Sequence, residues 1–287
     1  MSTFYSSTGL NSDLYAPLVA SAQYAAYENS IARQITTVFD MPENSGKVVQ
    51  IPVWSSVGYS TPDEGAQATF GNTATTSANI TLNEIVVAHR ITDMLRDSAF
   101  NDVLAQLGDQ AGRAIAEGMD VQVFNQFSNF STDVGGSGNV VIGTDTILKA
   151  AATLRAQKLT GPFVAVLHPA QAYNLKKQLT YVGGGNNPAA SIASNNVFAS
   201  GYLGSIANVY IYESGLIPVD GTSGDAVGAI FSPMALAHSM RGGIRLETMR
   251  QAAYRATDLV LTAVAGATTI RSNFGVKITA DASFGAK

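Results

Sequence analysis

The histidines are the side chains of this sequence best suited to proton transfer or metal binding near neutral pH. There are three of them, His89, His168 and His238, and they lie far apart in the 287-residue chain. None has an aspartate, a glutamate or another histidine at a spacing typical of metal ligands. Isolated histidines of this kind are usually hydrogen-bonded structural residues. The sequence therefore predicts no metal centre and no histidine-based catalytic site.

The motifs of other catalytic chemistries are incomplete. The turns GGSGN at Gly135 and GTSGD at Gly221 lack the final glycine of a Gly-x-Ser-x-Gly nucleophile turn. The glycine run at Gly183 has no following lysine and no preceding strand, which a phosphate-binding loop requires. Because there is no cysteine, thiolate catalysis and cysteine-ligated metals are excluded. We predict that the protein is not an enzyme and has no catalytic residue and no cofactor.

The chain is weakly charged. Charged residues make up 13 % of it, about half the share usual in globular proteins, which favours extensive contact between subunits. The net charge is −4, and the 17 lysines and arginines form no basic cluster, which argues against a module that grips nucleic acid. A container that merely encloses DNA remains compatible with this composition. We see no secretory signal in the first residues and no apolar run long enough to span a membrane.

Two β-prone runs enclose a long segment of turn residues. Residues 47–57 and 79–91 are rich in β-branched and aromatic side chains, and residues 58–78 between them are typical of a loop. Pro52 marks the first run as an edge strand or a bulged strand. A hairpin with such a long irregular tip is not stable by itself in water. We therefore expect it to be either disordered or held by another subunit.

This hairpin is uniformly acidic. Its acids are Asp63, Glu64 and Glu84, and no lysine or arginine lies between Lys47 and Arg90. Asp63 and Glu64 could bind a cation with loop carbonyls, although neighbouring acids on a loop are more often solvated or paired with an arginine of another subunit. Arginines recur in the C-terminal quarter, at Arg241, Arg245, Arg250 and Arg255. One hypothesis is a complementary contact between subunits; ordinary scattered surface charge is the alternative.

Helical periodicity predicts two long helices. The first covers residues 13–39, with Asp13 as its N-cap. The second covers residues 97–127, capped by Asp97 or Ser98, and would be about 45 Å long. Three glycines in the second helix favour the close approach of another backbone: Gly108, Gly112 and Gly118.

The remainder mixes short helices and strands. We predict a helix over residues 145–159 capped by Asp145, a buried strand over 163–167, and a helix that begins at Pro169. His238 is placed in a short helix. Further strands are predicted at residues 209–212, 227–231 and in three runs between 243 and 281. Because the elements mix without strict βαβ repetition, the predicted fold class is α+β.

The order of these elements resembles the tailed-bacteriophage major capsid proteins of the Hong Kong 97 fold. The resemblance is carried by the run TLNEIVVAHRITDMLRDSAFNDVLAQLGDQAGRAIAEGMDVQVF at 81–124, by LGSIANVYIYESGLIP at 203–218 and by RSNFGVKITAD at 271–281. It implies an α+β capsid fold with five parts. These are an N-terminal arm (1–46), an extended loop (47–90), a peripheral domain with the spine helix (91–159), an axial domain (160–232) and C-terminal strands of the peripheral domain (233–287).

The resemblance also implies a function. We expect a structural protein that self-assembles into pentamers and hexamers of an icosahedral shell, which encloses phage double-stranded DNA without sequence-specific binding. The virion is then its location, after assembly in the host cytoplasm. The extended loop would lie over an adjacent subunit, with Trp54, Tyr59 and Phe70 as candidate anchors because aromatic residues dominate interface energetics. The candidate ionic contacts are Asp63, Glu64, Arg241, Arg245 and Arg250.

Further expectations concern partners and alternatives. The loop tip has no lysine, and Lys47 lies at its base, so we expect non-covalent overlap between subunits. Because the arm begins directly after Met1, we expect a separate scaffolding protein. A portal protein is a further expected partner, and a cement protein is a candidate one. The alternative is an encapsulin-type nanocompartment shell, whose cargo would be protein. A soluble α+β hydrolase or carbohydrate-binding protein is the alternative from another class.

Overall fold

A long helix and two mixed β-sheets form the framework of the molecule. The computed structural model describes residues 7–42, 46–67, 73–98, 103–136, 140–181 and 205–284. The helices of these segments are α1 (Ser7–Asn29), α2 (Ile31–Ile35), α3 (Asp93–Ser98), α4 (Val103–Phe124), α5 (Thr144–Ala156) and α6 (Pro169–Tyr181). Helix and strand alternate irregularly along the chain, which confirms the predicted α+β class.

The first sheet has four strands in the order β1-β10-β11-β4. Its bounds are β1 Thr37–Met41, β4 Asn83–Thr92, β10 Leu236–Gln251 and β11 Ala256–Thr269. The long β10–β11 hairpin is its centre, with β4 antiparallel to β11 and β1 parallel to β10. A separate two-stranded sheet, β2 (Val48–Trp54) with β3 (Thr75–Thr81), extends from it.

The second sheet has six strands in the order β5-β12-β9-β6-β8-β7. Its bounds are β5 Thr132–Asp133, β6 Phe163–Leu167, β7 Ser205–Ile206, β8 Val209–Glu213, β9 Asp225–Phe231 and β12 Gly275–Asp281. All five residues of β6 are buried, as the sequence predicts for residues 163–167. The predicted strands at 209–212 and 227–231 and the predicted start of a helix at Pro169 are also confirmed.

The helices α1 and α4 pack on one face of the four-stranded sheet. Their buried side chains, among them Leu18, Ile115 and Met119, form one apolar cluster with Leu259 and Leu261 of β11. The two helices approach closely because α4 presents glycines to α1. A Cβ atom at Gly108 would collide with Ser21 Oγ, and one at Gly112 would collide with the carbonyl oxygen of Ala22. The predicted close approach of another backbone is thereby confirmed for Gly108 and Gly112, whereas Gly118 faces only the side chain of Ile85 on β4.

A buried carboxylate joins the N-terminal helices to α4. The side chain of Asp120 is 2 % exposed and accepts hydrogen bonds from Ser30 Oγ at 2.7 Å, from the Ala32 amide at 2.9 Å and from the Ile31 amide at 3.0 Å. The two amides are unsatisfied donors of the first turn of α2. Burial raises the pKa of Asp120, and the three hydrogen bonds oppose that rise. The chain therefore bends between α1 and α2 at a fixed point on α4.

Several predicted bounds are wrong. The segment predicted as one helix over 13–39 contains α1, α2 and β1, and Asp13 lies inside α1 instead of capping it. Ser30 interrupts the helix because it caps α2 and binds Asp120. The β-branched residues that follow pair with β10 instead of continuing the helix.

The other corrections concern helix starts and one histidine. Asp97 and Ser98 belong to α3, so α4 begins at Val103 and is about 33 Å long. Asp145 lies in the first turn of α5, where it pairs with Lys149 at 2.7 Å, and the N-cap is Gly143. His238 lies in strand β10 and not in a short helix, because its segment pairs with both β1 and β11.

His238 is fully buried between these strands. Neither ring nitrogen has a hydrogen-bond partner within the described segments. Burial, reinforced by the charge of Arg33 on α2 and opposed by that of Asp40 on β1, lowers the pKa of His238 to about 4. The fold thus accommodates only the neutral imidazole near neutral pH.

We predict that replacing Asp120 by alanine lowers the free energy of unfolding of the subunit by about 3 kcal/mol, because three donors lose their acceptor. Asp120→Asn keeps one acceptor oxygen and should cost less. Urea unfolding of the unassembled subunit measures both changes. The matched control is Asp109→Asn on the same helix, whose exposed pair with Arg113 should contribute below about 1 kcal/mol. Equal losses for Asp120→Ala and Asp109→Asn would contradict the assigned role.

We predict a pH dependence that comes from His238. Above the usual histidine pKa of about 6.5, His238 is neutral in both the folded and the unfolded state, so its titration does not reduce the free energy of unfolding. As the pH falls from about 6.5 towards 4, His238 becomes protonated in the unfolded state but stays neutral in the folded state. The free energy of unfolding therefore falls by about 3 kcal/mol. The measurement compares unfolding free energies of wild type and His238→Met between pH 7 and 4.5. Parallel pH curves for the two proteins would show that His238 contributes nothing.

Candidate intersubunit surface

The hairpin of β2 and β3 has a base that is packed on its own chain. The strands pair from Val48–Thr81 to Trp54–Thr75, with Pro52 on this two-stranded edge. Ile80 and Leu82 are buried against Ala237 of β10, and six partly buried side chains complete this cluster: Phe39, Met41, Val49, Ile51, Val264 and Ile270. The prediction that the hairpin lacks support within its own chain is therefore wrong for its base.

The predicted single run over 79–91 is also interrupted. Leu82 separates β3 from β4, and its amide donates to the carbonyl oxygen of Lys47 at 2.9 Å. Gly46, with φ +90°, lies in the left-handed region at the entry to β2 and turns the chain towards the hairpin. Strand β4 then continues into the four-stranded sheet. Two backbone turns thus fix the direction in which the hairpin leaves the body.

The tip of the hairpin, residues 55–67, is exposed throughout. Its backbone is fastened by the Ser55 amide bonded to the Ala74 carbonyl and by a turn in which the Ala66 amide bonds to the Asp63 carbonyl. Tyr59 is 93 % exposed and Val57 64 % exposed. Large apolar side chains displayed together on an extended segment mark an interaction surface. The fold therefore holds this exposed tip on a base that is packed on its own chain.

Most of the candidate anchors lie at or beside this tip. Trp54 closes β2, is 60 % exposed, and has its carbonyl oxygen bonded by Arg271 Nη2 at 2.9 Å. This exposure does not fit packing of Trp54 on the spine helix of its own chain. Asp63 and Glu64 are exposed on the tip, and neither forms an ion pair within the described part of the chain. Phe70 lies outside the described residues.

The candidate arginines occupy different environments. Arg250 binds Asp93 through both guanidinium nitrogens, at 2.6 Å each, so it has an acid partner in its own chain. Arg245 is exposed on β10, and Arg255 is exposed on the β10–β11 turn with φ 48°. Arg241 Nη1 donates to the Gly46 carbonyl oxygen at 2.8 Å. The structure brings none of these arginines to Asp63 or Glu64 of the same chain.

An open cleft of about 340 Å³ lies where the hairpin joins the body, and we call it the root cleft. It is lined by Lys47, Leu82, Asn83, Glu84, Arg241 and Val264. Arg241, Val264 and Glu84 are register partners across β10, β11 and β4, so their side chains point to the same face of the sheet. Sequence reasoning did not find this site, because only the strand register brings residues so distant in sequence together.

The described residues contain no chemical site of the kinds tested by sequence. No three histidine, aspartate or glutamate side chains are grouped as metal ligands there. In the GTSGD turn, Asp220 accepts hydrogen bonds from the Thr222 amide and Ser223 Oγ, which lower the pKa of Asp220 and stabilise the turn. His168 Nδ1 accepts from the Ala170 amide at the start of α6. Among these segments, no helix is long and apolar enough to cross a membrane.

Comparison with known proteins gives a consistent result. A family model described as phage capsid protein matches residues 75–287. A capsid structure of the cyanophage P-SCSP1u is similar, with 20 % identity, a TM-score of 0.66 and coverage of 88 % of this chain and 89 % of that one. The capsid of Ralstonia phage GP4 has 12 % identity, a TM-score of 0.67 and coverage of 90 % and 93 %.

A chain of Mycobacterium phage Che8 has 18 % identity, a TM-score of 0.64 and coverage of 82 % and 85 %. No curated protein matches the sequence. At these identities the solved structures establish the shared fold, and the family model adds the class of protein.

Proposed function

This chain belongs to the phage capsid protein family, and we propose that it assembles into pentamers and hexamers through the exposed tip of its hairpin. Membership of the family makes it a major capsid protein, a structural protein that forms the icosahedral shell of the virion. What is proposed is how its copies meet. The observation that carries the proposal is the exposed tip on a base that is packed on the same subunit.

A contact of this kind suits ring formation. The tip of one copy and the body of the next are different surfaces, so the contact is heterologous and closes into a ring when the rotation permits. Tyr59, Val57 and Trp54 supply apolar area that gains by leaving water. Asp63 and Glu64 supply charges that fix register more than they add affinity. We assign Phe70 to the same contact on its sequence position alone.

The proposed domains follow the two sheets. The peripheral domain comprises α4 and the four-stranded sheet, into which the end of the extended loop (47–90) is built as β4. The axial domain (160–232) supplies four strands of the six-stranded sheet, β6 to β9, while β5 and β12 come from the flanking ranges. The N-terminal arm (1–46) contributes α1, α2 and β1. A scaffolding protein, a portal protein and a cement protein are the further partners in this proposal.

The proposed content of the shell is double-stranded DNA. The net charge of −4 and the small number of lysines and arginines suit an enclosure that confines DNA without gripping its phosphates. Particles purified from infected cells should contain nuclease-protected DNA. Particles that instead contain a protein cargo would favour an encapsulin-type compartment.

We predict that replacing residues 56–66 by Asn-Gly abolishes shell formation and leaves the subunit folded, because the removed side chains are exposed and the cluster of Ile80, Leu82 and Ala237 stays intact. Negative-stain images and sedimentation velocity measure assembly, and urea unfolding measures the fold. A control of native length, with the same residues replaced by Gly and Ser, separates the role of the side chains from that of the loop length. Normal shells from the shortened variant would refute the proposed contact.

We predict that Tyr59→Ser raises the concentration needed for assembly about 30-fold, the equivalent of about 2 kcal/mol for the loss of one aromatic anchor. Subunit stability should stay unchanged, since Tyr59 is 93 % exposed. Tyr59→Phe is the matched control and should assemble as wild type does. Light scattering over a concentration series provides the measurement. Equal assembly concentrations for the serine and phenylalanine variants would show that Tyr59 does not anchor the contact.

A further inference from the structure

We propose that the root cleft of one copy is the receptor for the acidic tip of a second copy, with Lys47 and Arg241 binding Asp63 and Glu64. This inference rests on the proposed function, because it names the two surfaces that meet when the tip of one shell subunit reaches its neighbour. The occupant is residues 55–67 of another copy of this chain.

The root cleft has positive charge that no acid of the described residues neutralises. Lys47 is exposed and forms no salt bridge within the described part of the chain. Arg241 uses Nη1 to hold the Gly46 carbonyl oxygen, a neutral acceptor, so its charge is not neutralised by that bond. Glu84 is the one acid among the lining residues, and no salt bridge joins it to either cation within those segments. The lining therefore has a net charge of +1 and room for a carboxylate.

The tip has the opposite excess. Between Lys47 and Glu84 the sequence has two acids, Asp63 and Glu64, and no lysine or arginine. Both are exposed, and neither has an ionic partner within the described segments. A pair of adjacent carboxylates matches a pair of cations in the cleft. Opposite charges placed in this way fix the register of a contact.

The tip does not occupy the root cleft of its own chain, since neither Asp63 nor Glu64 is paired with Lys47 or Arg241 there. Strand β2 has seven residues and leads directly away from Lys47. At about 3.3 Å per residue, the root and the tip end of the strand are about 23 Å apart. Its partner β3 returns along the same path and is in register over its whole length. Because the hairpin is paired over this whole length, its tip lies away from the root cleft of its own chain, and we infer that the acids reach the root cleft of another copy. A repeated contact from tip to root is directional and closes into rings.

Other arginines are less suitable as receptors. Arg250 is bound by Asp93 through two short hydrogen bonds. Arg90 donates a hydrogen bond to the carboxylate of Asp258. This bond lowers the pKa of Asp258, so the carboxylate stays charged and pairs with Arg90. Arg255 is exposed on the β10–β11 turn and serves as the comparison site. Lys47 and Arg241 of the root cleft differ from Arg90 and Arg250 in having no acid partner among the described residues.

The absence of cysteine allows a direct test by disulfide trapping. The variant Lys47→Cys with Glu64→Cys keeps Arg241 and Asp63 to hold the contact. After oxidation of assembled shells with copper phenanthroline, we expect a ladder of covalently linked chains on a non-reducing gel. A disulfide within one chain would run as a monomer, so each step of the ladder reports a link between two copies whose Cα atoms lie about 4.4–6.8 Å apart. The matched control is Arg255→Cys with Glu64→Cys, which should link at least tenfold less.

Charge exchange gives a second measurement. Asp63→Lys with Glu64→Lys, and separately Lys47→Glu with Arg241→Glu, should each lower shell yield at least tenfold. Combining all four substitutions should restore the yield to within about threefold of wild type, and urea unfolding checks that each subunit is folded. Shells that show no ladder with the Lys47 pair, an equal ladder with the Arg255 pair, or no rescue on charge exchange would overturn the tip-to-root contact. Failure of the wild-type chain to form any shell would instead refute the proposed function.

Discussion

The burial of Ile80 and Leu82 against Ala237 is the contact on which the exposed hairpin depends. A two-stranded ribbon is marginal in water, so a β2–β3 hairpin without this cluster would have no preferred direction. With it, the base of the hairpin packs against strand β10 of the four-stranded sheet, whereas residues 55–67 are exposed throughout. The ordering entropy of the ribbon is thus offset within the subunit, before any neighbour arrives. A neighbour then has to order a short tip instead of a whole arm, which favours assembly.

The spine helix α4 packs against several other elements of the subunit. One side lies on the sheet through Ile115 and Met119, and another receives α1 so closely that side chains are excluded at Gly108 and Gly112. Asp120 fastens the start of α2 to the same helix. At its C-terminal end, Phe124 and Phe127 reach the second core, where the rings of Phe127 and Phe231 lie 5.6 Å apart. One helix therefore connects the N-terminal segment with both sheets.

Local patterns predicted the elements better than their ends or their contacts. The strands at 163–167 and 227–231 and the helix start at Pro169 follow from short-range rules on apolar runs and on proline, and they are confirmed. The break at Ser30 depends on a partner 90 residues away, Asp120, which no local pattern contains. The break at Leu82 likewise depends on the sheet beneath it.

The candidate surface divides in the same way. Exposure of Tyr59 and the acids could be expected from composition, because a loop rich in turn residues cannot bury them. The pairing of Arg250 with Asp93, and the grouping of Lys47 with Arg241, depend on strand register and on a helix that sequence reasoning placed differently. Cations that look equivalent in the sequence therefore differ in their partners. Arg250 forms a salt bridge with Asp93 of its own chain, whereas Lys47 forms no salt bridge with the described residues.

The tip combines apolar and acidic groups, and in the proposed contact each would solve a different problem of assembly. Burial of Tyr59 and Val57 is favourable against almost any apolar surface. By themselves these side chains would therefore add affinity without fixing the position of the tip on its neighbour. Asp63 and Glu64 add little affinity in solvent, yet placing them against the wrong charge is costly, so they select position. A shell built from many copies of one weakly charged chain needs both, since a small error in register repeated around a ring prevents its closure.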